Sequence, residues 1–353
     1  MIDIFTINSL PDRSISHEGR DYLFFSGTAY LGLQQNPGFQ QLLVESIGRY
    51  GTVFGSSRNG NLRIGVYEEA EAKLATWVGT ESALTVSSGM MAGQLVVNWL
   101  QAQSVVCLHG PGAHPAIWTS PNMTTPSTDF ADWAAQLPEQ LKTLPTGPIA
   151  ILVNSIEAVR SEYYAFDWVN NLPDDRLITL VVDDSHGLGV LNKGRGIWPQ
   201  LPKKPNVTLL VTASLAKAMG LPGGVVLGDT ASIQALRSTA FFGACSPIPP
   251  AYLDAYLRAD AYYTEGRERL TQNLILAEKL LSPTGLFNQA KGYPVFFTKQ
   301  DDLYSYLLEK GIFIYSFAYP TASDRANSRI VISAFHEFAD IQTLAETIYT
   351  YCF

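Results

Sequence analysis

Lys217 sits in Val-Thr-Ala-Ser-Leu-Ala-Lys-Ala-Met-Gly-Leu-Pro-Gly-Gly, residues 211–224, among small and apolar side chains. A lysine normally keeps its charge in water. Held among apolar neighbours it gives up its proton more easily, and the neutral amine is a nucleophile towards aldehydes. Ser214 stands just before it, and Gly220, Gly223 and Gly224 permit a close backbone approach. Taken alone, the stretch is equally compatible with a solvated lysine at a helix start. A second group lies upstream in Val182-Asp183-Asp184-Ser185-His186-Gly187, at the end of an apolar run. An aspartate closing a buried strand is costly unless it meets a cation or a hydrogen-bond donor. Asp183 and His186 are spaced so that both can point into one crevice.

Two chemistries use such a pair. A metal would take the aspartate and histidine as ligands, but no second cluster supplies the remaining ones, and no metal is expected. A pyridine ring would use Asp183 to hold a protonated ring nitrogen and His186 beside the ring's oxygen. Lys217 would join the ring's aldehyde. Ser88-Gly89, between the apolar run 83–86 and the helical run 90–100, would present backbone amides to a phosphate. These are the parts that a pyridoxal 5'-phosphate site requires. His114, in Ala113-His114-Pro115, falls in a loop from which a flat side chain can stack on the ring. Arg329, at the opening of a late strand, is suited to holding a substrate carboxylate in bidentate fashion, the alternative being a salt bridge.

These residues need a scaffold that brings strand ends together. Short runs rich in Val, Ile and Leu recur at 105–108, 149–153, 177–182, 207–211 and 225–228. Such runs read as parallel strands covered on both faces. Segments with helical spacing lie between them, notably 39–50 and 66–77. The expected fold is α/β: a large doubly wound, mainly parallel sheet domain at 51–245, preceded by an N-terminal arm at 1–50. A linking helix at about 251–281 and a smaller α+β C-terminal domain complete residues 246–353. Ligands of such sheets sit at the carboxyl ends of the strands.

Composition narrows the classes of function. The chain has 353 residues, 46% hydrophobic and 16% charged, as suits a well-cored soluble protein. It carries 24 basic and 32 acidic residues, a formal net charge of −8. With no basic run, nucleic acid is not an expected partner. The three cysteines are scattered, which fits a reducing cytoplasm better than a disulfide framework or a zinc site. Neither a signal peptide nor a membrane span is visible.

In this order along the chain, the motifs resemble those of the α-oxoamine synthases, fold-type I pyridoxal phosphate enzymes of the class II aminotransferase group. That family includes 8-amino-7-oxononanoate synthase, 2-amino-3-ketobutyrate CoA ligase and serine palmitoyltransferase. Tyr30-Leu-Gly-Leu is similar to its Asn-Tyr-Leu-Gly-Leu, and 50–58 to its glycine-rich loop ending in Gly-Ser-Arg. Asp183 and His186 resemble its Asp-x-x-His, and Ser214 and Lys217 its Thr-x-x-Lys. Ser88-Gly89-Met90 stands where the family has Ser-Gly-Tyr at the phosphate, and His114 where it has a stacking histidine.

The resemblance implies a homodimer with its site at the interface, Ser246 reaching the partner's phosphate, and Arg329 on the amino-acid carboxylate. It also implies Arg58 and Asn154 on the substrate side. The implied reaction joins an amino acid to an acyl-CoA thioester, usually with loss of carbon dioxide, Lys217 moving the α-proton. Departures cluster in the substrate region. Met90 replaces a tyrosine, Gly93 an asparagine, Tyr67 a histidine, Asn154 a glutamate and Asn327 an arginine. Glu157-Ala-Val-Arg-Ser stands where the family has Ser-Met-Asp-Gly. An aminotransferase, or a homologue that binds the cofactor without catalysis, would keep the same cofactor residues.

Overall fold

The computed structural model describes residues 4–318 and 326–352; the side chain of Asn327 lies outside the described ones. The apolar runs become one six-stranded sheet. Its order is Ser82–Val86, Gly224–Gly228, Val207–Ser214, Ile178–Asp183, Ile149–Asn154, Val106–His109. The last four are mutually parallel. Along Ile149–Asn154, Ile149, Ile151 and Val153 face one core cluster, while Ala150 and Leu152 face another. Both faces are therefore covered, as the uninterrupted apolar runs require. Helix Gly89–Ala102 covers one face with Leu95 and Val96, and helix Phe130–Thr143 the other with Trp133 and Leu137.

Gly224–Gly228 runs antiparallel to both its neighbours. The expectation of a mainly parallel sheet holds for the rest, and the exception has a simple cause. Residues 215–223 are too few to make the crossover that a parallel return needs, which takes a dozen residues or more. The lysine turn therefore reverses the chain, and Lys217 lies in a tight connection at the sheet's edge of strand ends.

A second sheet has the order Ser14–His17, Arg20–Phe25, Ile312–Ala318, Ala326–Val331, Val295–Thr298. Arg20–Phe25 pairs parallel with Ile312–Ala318. The N-terminal segment supplies two strands to the sheet built by the C-terminal part. Its helix, Pro37–Tyr50, packs on helix Pro250–Arg258, where Ser46 Oγ donates to Asp254 Oδ2 at 2.8 Å. The expected single linking helix is two, Pro250–Arg258 and Asp260–Leu281, broken at Ala259 with φ −96° and ψ 14°. Arg329 does not open its strand; it is the fourth residue of Ala326–Val331. That position turns it from the strand's rim to its middle, facing Phe297 and Tyr315 in the ladder.

Candidate active site

Lys217, Asp183, His186, His114, Asn154 and Arg329 line one cavity of about 230 Å³ between the two sheets. Asp183 ends its strand and is 7% exposed. Its Oδ1 accepts from the Ser185 amide at 3.0 Å. Its Oδ2 lies 3.9 Å from His114 Nδ1, beyond hydrogen-bond range. That histidine nitrogen is already an acceptor, since the Ala116 amide donates to it at 3.1 Å. His114 is thereby held as the neutral tautomer with its proton on Nε2. Burial lowers its pKa, Asp183 opposes the shift and Lys217 adds to it. Oδ2 remains as the carboxylate oxygen available to a cation in the cavity.

His186 is fixed from behind. Tyr30 Oη lies 2.8 Å from His186 Nδ1, and Tyr293 Oη lies 3.3 Å from Tyr30 Oη. Burial pushes both tyrosine pKa values up, so both hydroxyls keep their protons. Burial pushes the His186 pKa well down, with Lys217, Arg329 and His114 adding to the effect. Tyr30 then donates to Nδ1, and the Nε2 proton of a neutral His186 is the one left for a ligand. In the sequence Tyr30 stands out only as part of the Tyr-Leu-Gly-Leu motif, and Tyr293 carries no motif. Nothing in their spacing links residues so far apart.

Lys217 Nζ makes no hydrogen bond or ion pair among the described residues. Burial lowers its pKa, Asp183 opposes this, and Arg329 adds to it. Its loop is held by its backbone instead. Gln34 Nε2 donates to the carbonyls of Ala216 at 3.1 Å and Lys217 at 2.9 Å, and the Gly220 amide donates to Lys217 O at 3.2 Å. A backbone-held loop carrying an amine with a lowered pKa and no hydrogen-bond partner among the described residues is the arrangement that nucleophilic catalysis by lysine needs.

Ser88, Gly89 and Met90 do not line this cavity; they begin the helix that packs beside it. Ser88 Oγ accepts from the Met91 amide at 3.0 Å, and Met90 is 49% exposed. A Cβ on Gly89 would sit 2.6 Å from Ser214 Cβ, and one on Gly224 would sit 2.2 Å from Ser88 O. Glycine is required at both, and the helix start is pressed against the lysine strand. Ser214 continues the link: its amide donates to Ser185 Oγ at 2.9 Å, and Ser185 lines the cavity. The amides of a helix's first turn have no partner within the helix, so this corner fits a phosphate. Gly93 has its own steric reason, since a Cβ there would meet Ala116 O at 2.3 Å.

Three expected residues stand differently. Arg58 is not aimed at the cavity. It is 8% exposed, with Nη2 donating to Glu71 Oε2 at 3.0 Å and Nη1 to Glu71 Oε1 at 2.5 Å. Its guanidinium stacks over Tyr67 at 4.4 Å. Glu71 also accepts from the Thr85 amide at 2.6 Å, so the Arg58 guanidinium is engaged in a buried network within this chain and does not reach the cavity around Lys217. Ser246 lies beside Arg58 and Thr85, not beside Lys217. Asn154 does line the cavity, but its amide is spent on the His114 loop. Oδ1 accepts from His114 N at 3.0 Å, and Nδ2 donates to Gly112 O at 2.8 Å. It positions His114.

Arg329 is buried beside the cavity. Nη1 donates to Ala158 O at 3.1 Å, and the guanidinium lies 5.0 Å from the centre of the Tyr315 ring. The arginine thus ties the small sheet to the segment 157–161, which departs from the Ser-Met-Asp-Gly of the family the sequence resembles. Glu157, from that same segment, also lines the cavity, and its Oε1 accepts from the Val159 amide at 3.0 Å.

The chain is 27% identical over 355 residues to the 8-amino-7-oxononanoate synthase of Chromobacterium violaceum, covering 97% of this chain and 92% of that one. In structure it is similar to a serine palmitoyltransferase variant of S. paucimobilis holding PLP and myriocin. The TM-score is 0.83 at 18% identity, over 98% of this chain and 92% of that one. An 8-amino-7-oxononanoate synthase from Francisella tularensis superposes with a TM-score of 0.72 at 22% identity, over 94% of this chain and 97% of that one. Both neighbours share the fold. The pattern of the aminotransferase class I and II family matches residues 29–348, and the chain belongs to that family.

Proposed function

We propose that the protein is a pyridoxal phosphate-dependent acyltransferase of the α-oxoamine synthase type, joining an amino acid to an acyl-CoA thioester with loss of carbon dioxide. One observation carries this reading: an unpaired, burial-depressed Lys217 faces Asp183, His186, His114 and Arg329 across a single cavity. The curated relatives, matched over nearly their whole length, point to the same chemistry.

When bound, the cofactor supplies an aldehyde for amines and an electron sink for the charge left at an α-carbon. Asp183 Oδ2 would hold the protonated ring nitrogen, and the neutral His186 Nε2–H would donate to the ring oxygen. The flat face of His114 would cover the ring. The start of helix Gly89–Ala102, with Ser214, would take the phosphate. Lys217 Nζ, lowered in pKa, takes a proton from the substrate α-carbon and later returns one. Arg329 holds the amino-acid carboxylate, and Lys217 and Arg329 together make the cavity a site for an anionic substrate. Ser246 and Arg58 lie away from this cavity, which suits a homodimer in which Ser246 serves the partner's phosphate. No helix among the described residues is long and apolar enough to cross a membrane. The cytoplasm, with its reduced thiols, is the compartment that fits the free cysteines.

The test is release of free thiol from a panel of acyl-CoA esters mixed with the cofactor-loaded enzyme and each amino acid in turn, with Lys217→Ala as control. Release that requires both substrates and vanishes in the control supports the acyltransferase. Keto-acid production without thiol release would replace it with an aminotransferase. Perturbation of the cofactor spectrum with no turnover of any amino acid would leave a binding protein.

A further inference from the structure

A second, roomier cavity lies elsewhere. It has a volume of about 510 Å³ and lies between helix Val66–Val78 and the two helices of 250–281, with Met219 as its floor. It shares no lining residue with the cavity around Lys217. Its walls are aromatic, formed by Trp77, Tyr256 and Tyr263. Two cations reach it, and they differ in kind. Lys73 is saturated: Nζ pairs with Asp260 at 2.6 Å and donates to the carbonyls of Leu257 at 2.9 Å and Tyr256 at 3.2 Å. Asp260, the cavity's carboxylate, pairs with Lys73 and also acts on Arg267 through the field.

Arg267 is not saturated. Its one hydrogen bond among the described residues runs from Nη2 to Thr264 Oγ1 at 3.1 Å, and no carboxylate pairs with it. It is half-buried, and its guanidinium lies 6.0 Å from the centre of the Trp77 ring. A guanidinium has five N–H donors in a planar fork. Its remaining donors are open at the wall of the cavity, to water or to a ligand that displaces it. The volume falls in the range of small-molecule sites, about 300–1,000 Å³, and the mix of aromatic wall and few polar groups is typical of them.

We propose that this cavity is a second small-molecule site, for a flat aromatic ring carrying one anionic group. The ring lies between Trp77 and Tyr256, and the anion takes the Arg267 fork with the hydroxyls of Thr264 and Thr76 beside it. Tyr263 Oη donates to Met219 O at 2.7 Å, so an occupant rests on the same loop that carries Lys217.

The experiment is calorimetric titration of the cofactor-loaded enzyme with naphthoate and, separately, with its neutral amide. Saturable binding of naphthoate is expected, about tenfold weaker for the amide and about tenfold weaker in Arg267→Gln, with Arg267→Lys recovering part of the loss. Trp77→Leu should weaken both probes alike, which keeps the ring and the charge distinguishable. Absence of saturable binding would overturn the proposal. So would binding indifferent to Arg267→Gln, or binding lost instead in Arg329→Ala, which would place the probe in the crevice around Lys217. None of these readouts uses turnover, so failure of the acyltransferase assay leaves the outcome interpretable.

Discussion

Arg58 and Lys217 are both cations taken out of water, and the molecule treats them in opposite ways. Around Arg58 every charge is answered: Glu71 meets the guanidinium twice, Thr85 closes the carboxylate, Tyr67 and Phe242 cover the face. Around Lys217 the answer is withheld. Asp183 is close enough to act on it through the field, yet no hydrogen bond or ion pair among the described residues reaches Nζ. A completed network fixes one arrangement and offers nothing to a ligand. An incomplete one holds a group in a state that a ligand can finish.

Removing either cation separates the two cases. Lys217→Ala should lower thiol release by about 10³-fold or more while the melting temperature hardly moves, measured by turnover and thermal unfolding side by side. Loss of stability equal to that of Arg58→Ala would break the contrast. Arg58→Ala takes from buried Glu71 one of its two guanidinium partners, Arg237 at 3.1 Å being the other, which costs about 3 kcal/mol in denaturant unfolding. The double change Arg58→Met with Glu71→Leu should recover part of that loss, since it removes both buried charges and leaves Arg237 its pair with Glu68.

The histidines sharpen the contrast. His336 is as completely answered as Arg58: Nδ1 accepts from the Ser333 amide at 3.0 Å, Nε2 lies 2.9 Å from Phe24 O, and the ring stacks on Phe25 at 4.2 Å. Burial lowers its pKa to about 4, below its ordinary 6.5. The unfolded chain therefore takes up this proton first as pH falls. The stability held by the neutral ring is complete above pH 6.5 and is lost as pH falls towards 4, by roughly 1.4 kcal/mol per unit of pKa difference. Unfolding free energy measured across that window should show a smaller slope in His336→Gln. Asp184 works in the other direction. Its buried carboxyl is raised to about 7, so its contribution is complete at low pH and fades as pH rises through 7.

The smallest effect belongs to Tyr30→Phe. It removes the donor to His186 Nδ1 without opening space. A loss in kcat of about tenfold is expected, with little change in KM and a displaced acid limb of the pH–rate profile. A change in KM alone would mean that Tyr30 acts on binding rather than on the tautomer of His186.

Much of this was legible in the sequence because strand ends and loops are local. Asp183 and His186 share a turn, Lys217 follows its own strand, and the apolar runs between them are continuous because both faces of the sheet are covered. What was not legible depends on partners far away in the chain. Arg58 looks the same whether it faces a ligand or a glutamate, and only the packing of helix Val66–Val78 brings Glu71 to it. Tyr293 and Tyr30 meet only because the two sheets close on one another. The reversal at Gly224–Gly228 was hidden because a short apolar run carries no direction; the length of the connecting turn does.

The pairing of Arg20–Phe25 with Ile312–Ala318 has a consequence for how the protein is made. The six-stranded sheet takes its strands from 82–228, so it can assemble while the rest of the chain is still being synthesised. The other sheet cannot. Its early strands must wait, edges open, until a partner near the far end leaves the ribosome. Such a long-separated pairing is slow to find and prone to joining the wrong edge meanwhile. The crevice around Lys217, which needs Arg329 from that late sheet, is therefore among the last features of the molecule to exist.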